Sequence, residues 1–134
     1  MSTKSIMLDK NEEVETDVTH DDQKMINTFG RLNNRKHEIL RQKKYLQEDL
    51  EKARDAQDDI FIETDDETKY KYLMGEAYLE TEKTETEELL DNYINKLEAD
   101  IAKIDTELEE IADAHKELKV LLYARFKSSI NLEE

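Results

Sequence analysis

The chain has 134 residues, 41% charged and 37% hydrophobic, with two Gly, no Pro and no Cys, which excludes several domains, a conventional layered core, disulfides and thiolate metal sites. Acidic residues outnumber basic ones by 35 to 20, and the net charge of −15 repels phosphate backbones and anionic lipid, arguing against nucleic-acid or membrane partners. No stretch approaches the roughly 20 apolar residues of a membrane span, and Met1 to Asn11 lacks the apolar core of a signal peptide, so a cytoplasmic location is expected.

Residues 1–17 are polar apart from Ile6, Met7 and Leu8, and read as a disordered tail. A helix start follows. Thr19 is placed to cap it, Asp22 completes a capping box, and Asp21 lies favourably beside the helix dipole. From Met25 an apolar position recurs every seven residues through Leu32, Ile39, Leu46, Ala53 and Ile60. The companion row, Phe29, Lys36, Lys43, Leu50 and Gln57, is patchier, so this helix pairs less tightly than the second. Gly30 is a soft spot costing about 1 kcal/mol relative to Ala.

Glu63 to Thr68 is an acidic, turn-prone run. Tyr70 to Leu79 then becomes aromatic and β-prone around Gly75, predicting a short β-hairpin: Tyr70, Tyr72 and Leu73 in one strand, Met74-Gly75-Glu76 at the turn, and Ala77, Tyr78 and Leu79 in the other. A lone two-stranded hairpin is marginal in water, and its free edges invite strands from sister subunits. The second helix is expected to start at Thr81 or Thr84.

That helix carries the most regular pattern in the chain. Leu90, Ile94, Leu97, Ile101, Ile104, Leu108, Ile111, His115, Leu118 and Leu122 step by four and three residues alternately, and only His115 is not apolar. This is the narrow seam of a coiled coil, and it needs a partner helix. Folding the chain back on itself supplies one. The expected pairs are Leu32 by Leu118, Ile39 by Ile111, Leu46 by Ile104, Ala53 by Leu97 and Ile60 by Leu90, with Phe29 by Leu122, Lys36 by His115 and Leu50 by Ile101 in the companion row. The fold class is thus mainly α: a long antiparallel two-helix coiled coil with a short β-hairpin between the helices. One coiled-coil domain over residues 18–127 is flanked by tails at 1–17 and 128–134.

Met25, Ile26 and Phe29 from the first helix, and Leu121, Leu122, Tyr123 and Phe126 from the second, gather where the helices begin and end. Ile130 and Leu132 follow. Together they form more apolar surface than two helix ends are expected to bury. Such a surface contacts unfolded chains without reading their sequence, because hydrophobic attraction is non-directional.

No catalytic constellation is present. There is no glycine-rich phosphate loop, and Ser2, Ser5, Ser128 and Ser129, the only serines, all lie in the tails. His20, His37 and His115 are too scattered for a metal site. Glu63, Asp65, Asp66 and Glu67 lack the glycine and ligand spacing of an EF-hand loop. The chain is therefore read as a non-enzyme without cofactor or metal.

The sequence resembles the β-type prefoldin subunits over about residues 18–133. The resemblance rests on Val18-Thr19, Asp22-Gln23 and Ile26-Asn27-Thr28-Phe29 at the start, Asp58-Asp59-Ile60 at the end of the first helix, and Leu118-Lys119-Val120, Tyr123-Ala124-Arg125-Phe126 and Ile130-Asn131-Leu132-Glu133 near the C-terminus. The chain departs from the family pattern at Met74, where Ile is usual, at Tyr78, where Phe is common, and at Lys127, where Gly is expected. The resemblance implies an ATP-independent cochaperone, a heterohexamer of two α-type and four β-type subunits whose hairpins build a β-barrel base. Clients such as nascent actin and tubulin would be held at the coiled-coil tips and passed to the cytosolic chaperonin. By position, Tyr70, Tyr72, Leu73, Gly75, Tyr78 and Leu79 would serve assembly, and Met25, Ile26, Phe29, Leu122, Tyr123 and Phe126 client contact. The rival reading is a structural or adaptor coiled coil without clients. Because His115 puts a polar group into an apolar seam, His115→Leu is expected to raise the midpoint of thermal unfolding; a clear fall would contradict its placement there.

Overall fold

The computed structural model describes residues 18–65, 68–74, 77–127 and 130–133, with backbone alone at 73, 74 and 77–79. The element order is α1 (His20–Ile62), β1 (Lys69–Met74), β2 (Ala77–Glu82) and α2 (Lys83–Phe126). Among the described residues, no helix is long and apolar enough to cross a membrane.

The start of α1 is as the sequence dictates. Thr19 and Asp22 cap each other: the Asp22 backbone N–H donates to Thr19 Oγ1 at 3.1 Å, and the Thr19 N–H donates to Asp22 Oδ2 at 3.0 Å. Two of the N–H groups that a helix start would leave unsatisfied are thereby paired. The hairpin is also present, but longer than expected. Its strands run in antiparallel register from Lys69↔Glu82 to Met74↔Ala77, so Met74 belongs to a strand. Gly75 and Glu76 lie outside the described residues.

Of the two expected starts of α2, the structure favours Thr84, which lies one residue past the observed start. Thr81 is the penultimate residue of β2, and the helix begins at Lys83. Thr81 is buried instead of capping: its hydroxyl bonds to that of Thr86 and reaches the Tyr70 carbonyl. Thr86 Oγ1 donates to the Glu82 carbonyl at 2.7 Å, and Lys83 Nζ donates to the Glu63 carbonyl at 2.7 Å. Paired cross-strand contacts hold Thr81 extended, overriding its local capping preference.

The chain divides into two compact units, Gln42–Ile104 in one and Met1–Arg41 with Asp105–Glu134 in the other. Within Gln42–Ile104, Leu50, Ala53, Ile94 and Leu97 form a buried cluster with Leu46 and Ile101 against it. Ala53 and Leu97 share this core, as do Leu50 and Ile101. Ile104, the expected partner of Leu46, is buried outside the cluster. Gln57–Asp91 and Arg54–Glu98 flank the seam here.

In the other unit, Asp22 meets Arg125, Arg35 meets Glu107 at 2.9 Å, and the His115 ring lies 4.4 Å from that of Phe29. Phe29 also shares the helix-end core with Leu122, its expected partner.

At its far end α2 stops at Phe126, and Lys127 takes a left-handed backbone conformation with φ 52°. This is the position after a helix where glycine avoids a clash that a Cβ incurs. Lys127→Gly is therefore expected to stabilise the fold by about 1 kcal/mol, measured by denaturant unfolding.

Candidate functional site: the helix-end cluster and the hairpin

The first candidate site is built by the start of α1 and the end of α2. Ile26, Phe29, Leu122 and Phe126 form a buried core with Ile130 and Leu132, and Met25 and Leu118 pack against it. The expectation of unburied apolar surface at these residues is corrected. Ile26 and Leu122 are 0% exposed, and Ile130 and Leu132 return past the Lys127 turn to close the cluster at 4% and 5% exposure. Residues 130–132 are thus packed chain, not a free tail. Of the six positions named for client contact, four lie inside this core, Met25 is half-buried at its edge, and Tyr123 is exposed.

The apolar groups exposed here lie off the seam. Val120 is 64% exposed, Leu121 53% and Tyr123 39%, and Val120 and Leu121 border a shallow hollow with Asp113, Lys116 and Glu117. Leu121 belongs to the apolar group expected here, while Val120 was missed because it falls outside the seam, where the heptad reading assigns solvent. Their adjacency on an otherwise charged helix was the available signal.

A polar clasp borders the core. Arg125 donates to Asp22 Oδ2 from Nε at 3.1 Å and from Nη2 at 2.7 Å, onto the same oxygen that accepts the Thr19 N–H. The Thr19 backbone N–H, together with Arg125 and the Thr19 hydroxyl, holds the Asp22 carboxyl below the usual carboxylate range, against the opposing effect of burial. The charges also suit the helix ends, with the carboxylate at the positive start of α1 and the guanidinium at the negative end of α2.

The second candidate site is the hairpin. Tyr70 and Tyr72 line a cleft with Ala56, Asp59, Ile60, Lys71, Thr86 and Leu90. Tyr72 also borders a cleft with Asp49, Lys52, Ala53, Leu90 and Tyr93. Burial, then the charges of Glu63, Glu87 and Asp65, pushes the Tyr70 phenol up; burial, then Asp49 and Tyr72, does the same at Tyr93. Among the described residues the sheet has two strands, so each strand keeps an unpaired edge. Leu73 pairs with Tyr78 and Tyr72 with Leu79 in the backbone register, while Gly75 lies outside the described residues. Sequence reasoning missed Phe61 and Ile62, which end α1 at 81% and 73% exposure. Two consecutive apolar residues just beyond Ile60, the last seam residue, were the signal.

Among the described residues, no group of His, Asp and Glu is arranged to hold a metal ion. Asp66 and Glu67 of the acidic run lie outside them.

Comparison with known proteins agrees with this architecture. The family model described as "Prefoldin subunit" matches residues 23–129. A probable prefoldin subunit 4 of Dictyostelium discoideum is 64% identical over 129 residues, covering 96% of this chain and 97% of the relative. Prefoldin subunit 4 of Homo sapiens is 34% identical over 119 residues, covering 89% of each. The crystal structure of the prefoldin beta subunit from Thermococcus strain KS-1 shares the fold, with a TM-score of 0.72 at 19% identity over 84% of this chain and 97% of that one. The chain belongs to the prefoldin subunit family, whose members are chaperone subunits. Within it, the chain is of the β type and resembles the relatives that carry the name subunit 4.

Because the Asp22 carboxyl titrates lower in the folded chain than in the unfolded one, its contribution is fully present above about pH 4 and is lost as pH falls through the folded value. Asp22→Asn is expected to cost about 1–2 kcal/mol at pH 7 and to flatten this acid limb, checked by urea unfolding between pH 2 and pH 7.

Proposed function

We propose that the chain is an ATP-independent holdase subunit of a cytoplasmic, heterohexameric prefoldin cochaperone. Its hairpin joins those of two α-type and further β-type subunits in a β-barrel base, through Tyr70, Tyr72, Leu73, Gly75, Tyr78 and Leu79, with the exposed Phe61 and Ile62 adding apolar contact. The Tyr70 hydroxyl supports this role, since it is buried with no hydrogen-bond partner among the described residues and so suits a donor or acceptor from a neighbouring chain. At the helix-end cluster the chain holds unfolded or nascent proteins such as actin and tubulin, and passes them to the cytosolic chaperonin.

The observation that carries the holdase reading is the coincidence of exposed Val120, Leu121 and Tyr123 with an apolar core at the same helix ends. Exposed apolar groups are costly in water, and grouped ones mark an interaction surface. A dense acidic surface elsewhere keeps a client-loaded complex in solution. The burial of Ile26, Phe29, Leu122 and Phe126 favours the second reading, an adaptor coiled coil whose helix ends are closed.

The two readings separate in the reconstituted hexamer. With Val120, Leu121 and Tyr123 all replaced by Ser, the holdase reading expects suppression of denatured-actin aggregation to fall several-fold while the hexamer mass is unchanged in native mass spectrometry. Unaltered protection would favour the adaptor.

A further inference from the structure

We infer that the helix-end core is a groove for an extended segment with apolar side chains two residues apart, and that Ile130-Asn131-Leu132 is its resident occupant, which an incoming unfolded chain displaces. The inference rests on the holdase reading and names the kind of segment that the site accepts.

Ile130 and Leu132 are as buried as the helix residues they touch, although their segment belongs to neither helix nor strand. Asn131 between them is only half-buried, and its amide Nδ2 donates to Glu133 Oε1 at 3.0 Å, within the segment itself. In an extended chain, residues i and i+2 project to the same side, so both apolar groups enter while the middle residue stays at the rim. The floor is Ile26, Phe29, Leu122 and Phe126, and the Asp22–Arg125 pair borders it. Nothing in this arrangement depends on covalent continuity beyond the turn at Lys127. A strand from an unfolded protein, with alternating apolar residues, meets the same walls. The resident segment then lowers apparent client affinity by the fraction of time for which the groove is open, which keeps four large apolar side chains from solvent when no client is present.

The test uses the full chain within the reconstituted hexamer, carrying photoreactive benzoylphenylalanine at the exposed Ala124. Wild-type and Ile130→Ser/Leu132→Ser forms are compared with two probes: a labelled peptide of residues 127–134 and guanidinium-denatured actin. The inference expects the peptide to bind and crosslink to the double variant about tenfold more tightly than to the wild type, with actin crosslinking rising in parallel. Equal or weaker peptide binding by the variant overturns it. If neither form captures actin but the variant gains the peptide, the holdase reading fails and the groove assignment stands. If both forms capture actin equally and neither binds the peptide, the holdase reading stands and the groove assignment fails. Circular dichroism follows helix content, and Leu132→Ala serves as a milder second variant. Loss of helicity in both variants would also overturn the inference, because an occupant that the fold requires is not one a client can displace.

Discussion

An apolar stripe two positions wide in every seven cannot be buried by the helix that carries it. It needs a second stripe of the same period, and in this chain that need organises the fold. α1 and α2 are 43 and 44 residues long, several times the usual helix, because each turn of so narrow a seam buries little and stability must accumulate along it. The charged residues between seam positions are left to solvent. Where they meet across the helices, as in Arg35–Glu107 and Arg54–Glu98, they are exposed pairs that steer alignment more than they stabilise it.

A seam of this kind has a difficulty wherever it stops, since the last layers lack a neighbour on one side. The chain meets it in two different ways. Where α1 begins and α2 ends, the return of Ile130 and Leu132 seals the cluster, while the Asp22–Arg125 clasp satisfies polar groups at both termini. Where α1 ends and α2 begins, Phe61 and Ile62 stay exposed and the sheet keeps open edges. Exposed apolar groups and free strand edges suit a surface that finds its partners in assembly, where open edges are completed and cease to be an aggregation hazard.

Much of this was legible in the residues. The periodicity named both helices, Thr19 and Asp22 named the start of the first, the aromatic texture around Gly75 named the hairpin, and the residues quoted from both ends named the family. The candidate sites were legible as neighbourhoods, less so as residues. Ile26, Phe29, Leu122 and Phe126 were correctly grouped, yet their burial follows from chain beyond the helices, which periodicity does not describe. Val120, Phe61 and Ile62 were passed over because they lie off the seam, and only accessibility in three dimensions separates a chance apolar residue from an exposed one.

By itself, then, the sequence determined that two long helices form, that they need each other, and that a strand pair interrupts them, because local spacing and capping chemistry act within a few residues. The tertiary structure decided which polar residues meet across the helices, Asp22 with Arg125 and Arg35 with Glu107, because side-chain reach is not contained in the apolar repeat. It also decided where the C-terminal residues go. A left-handed turn at Lys127 and two apolar side chains two residues apart become meaningful only once the helix-end cluster that they join exists.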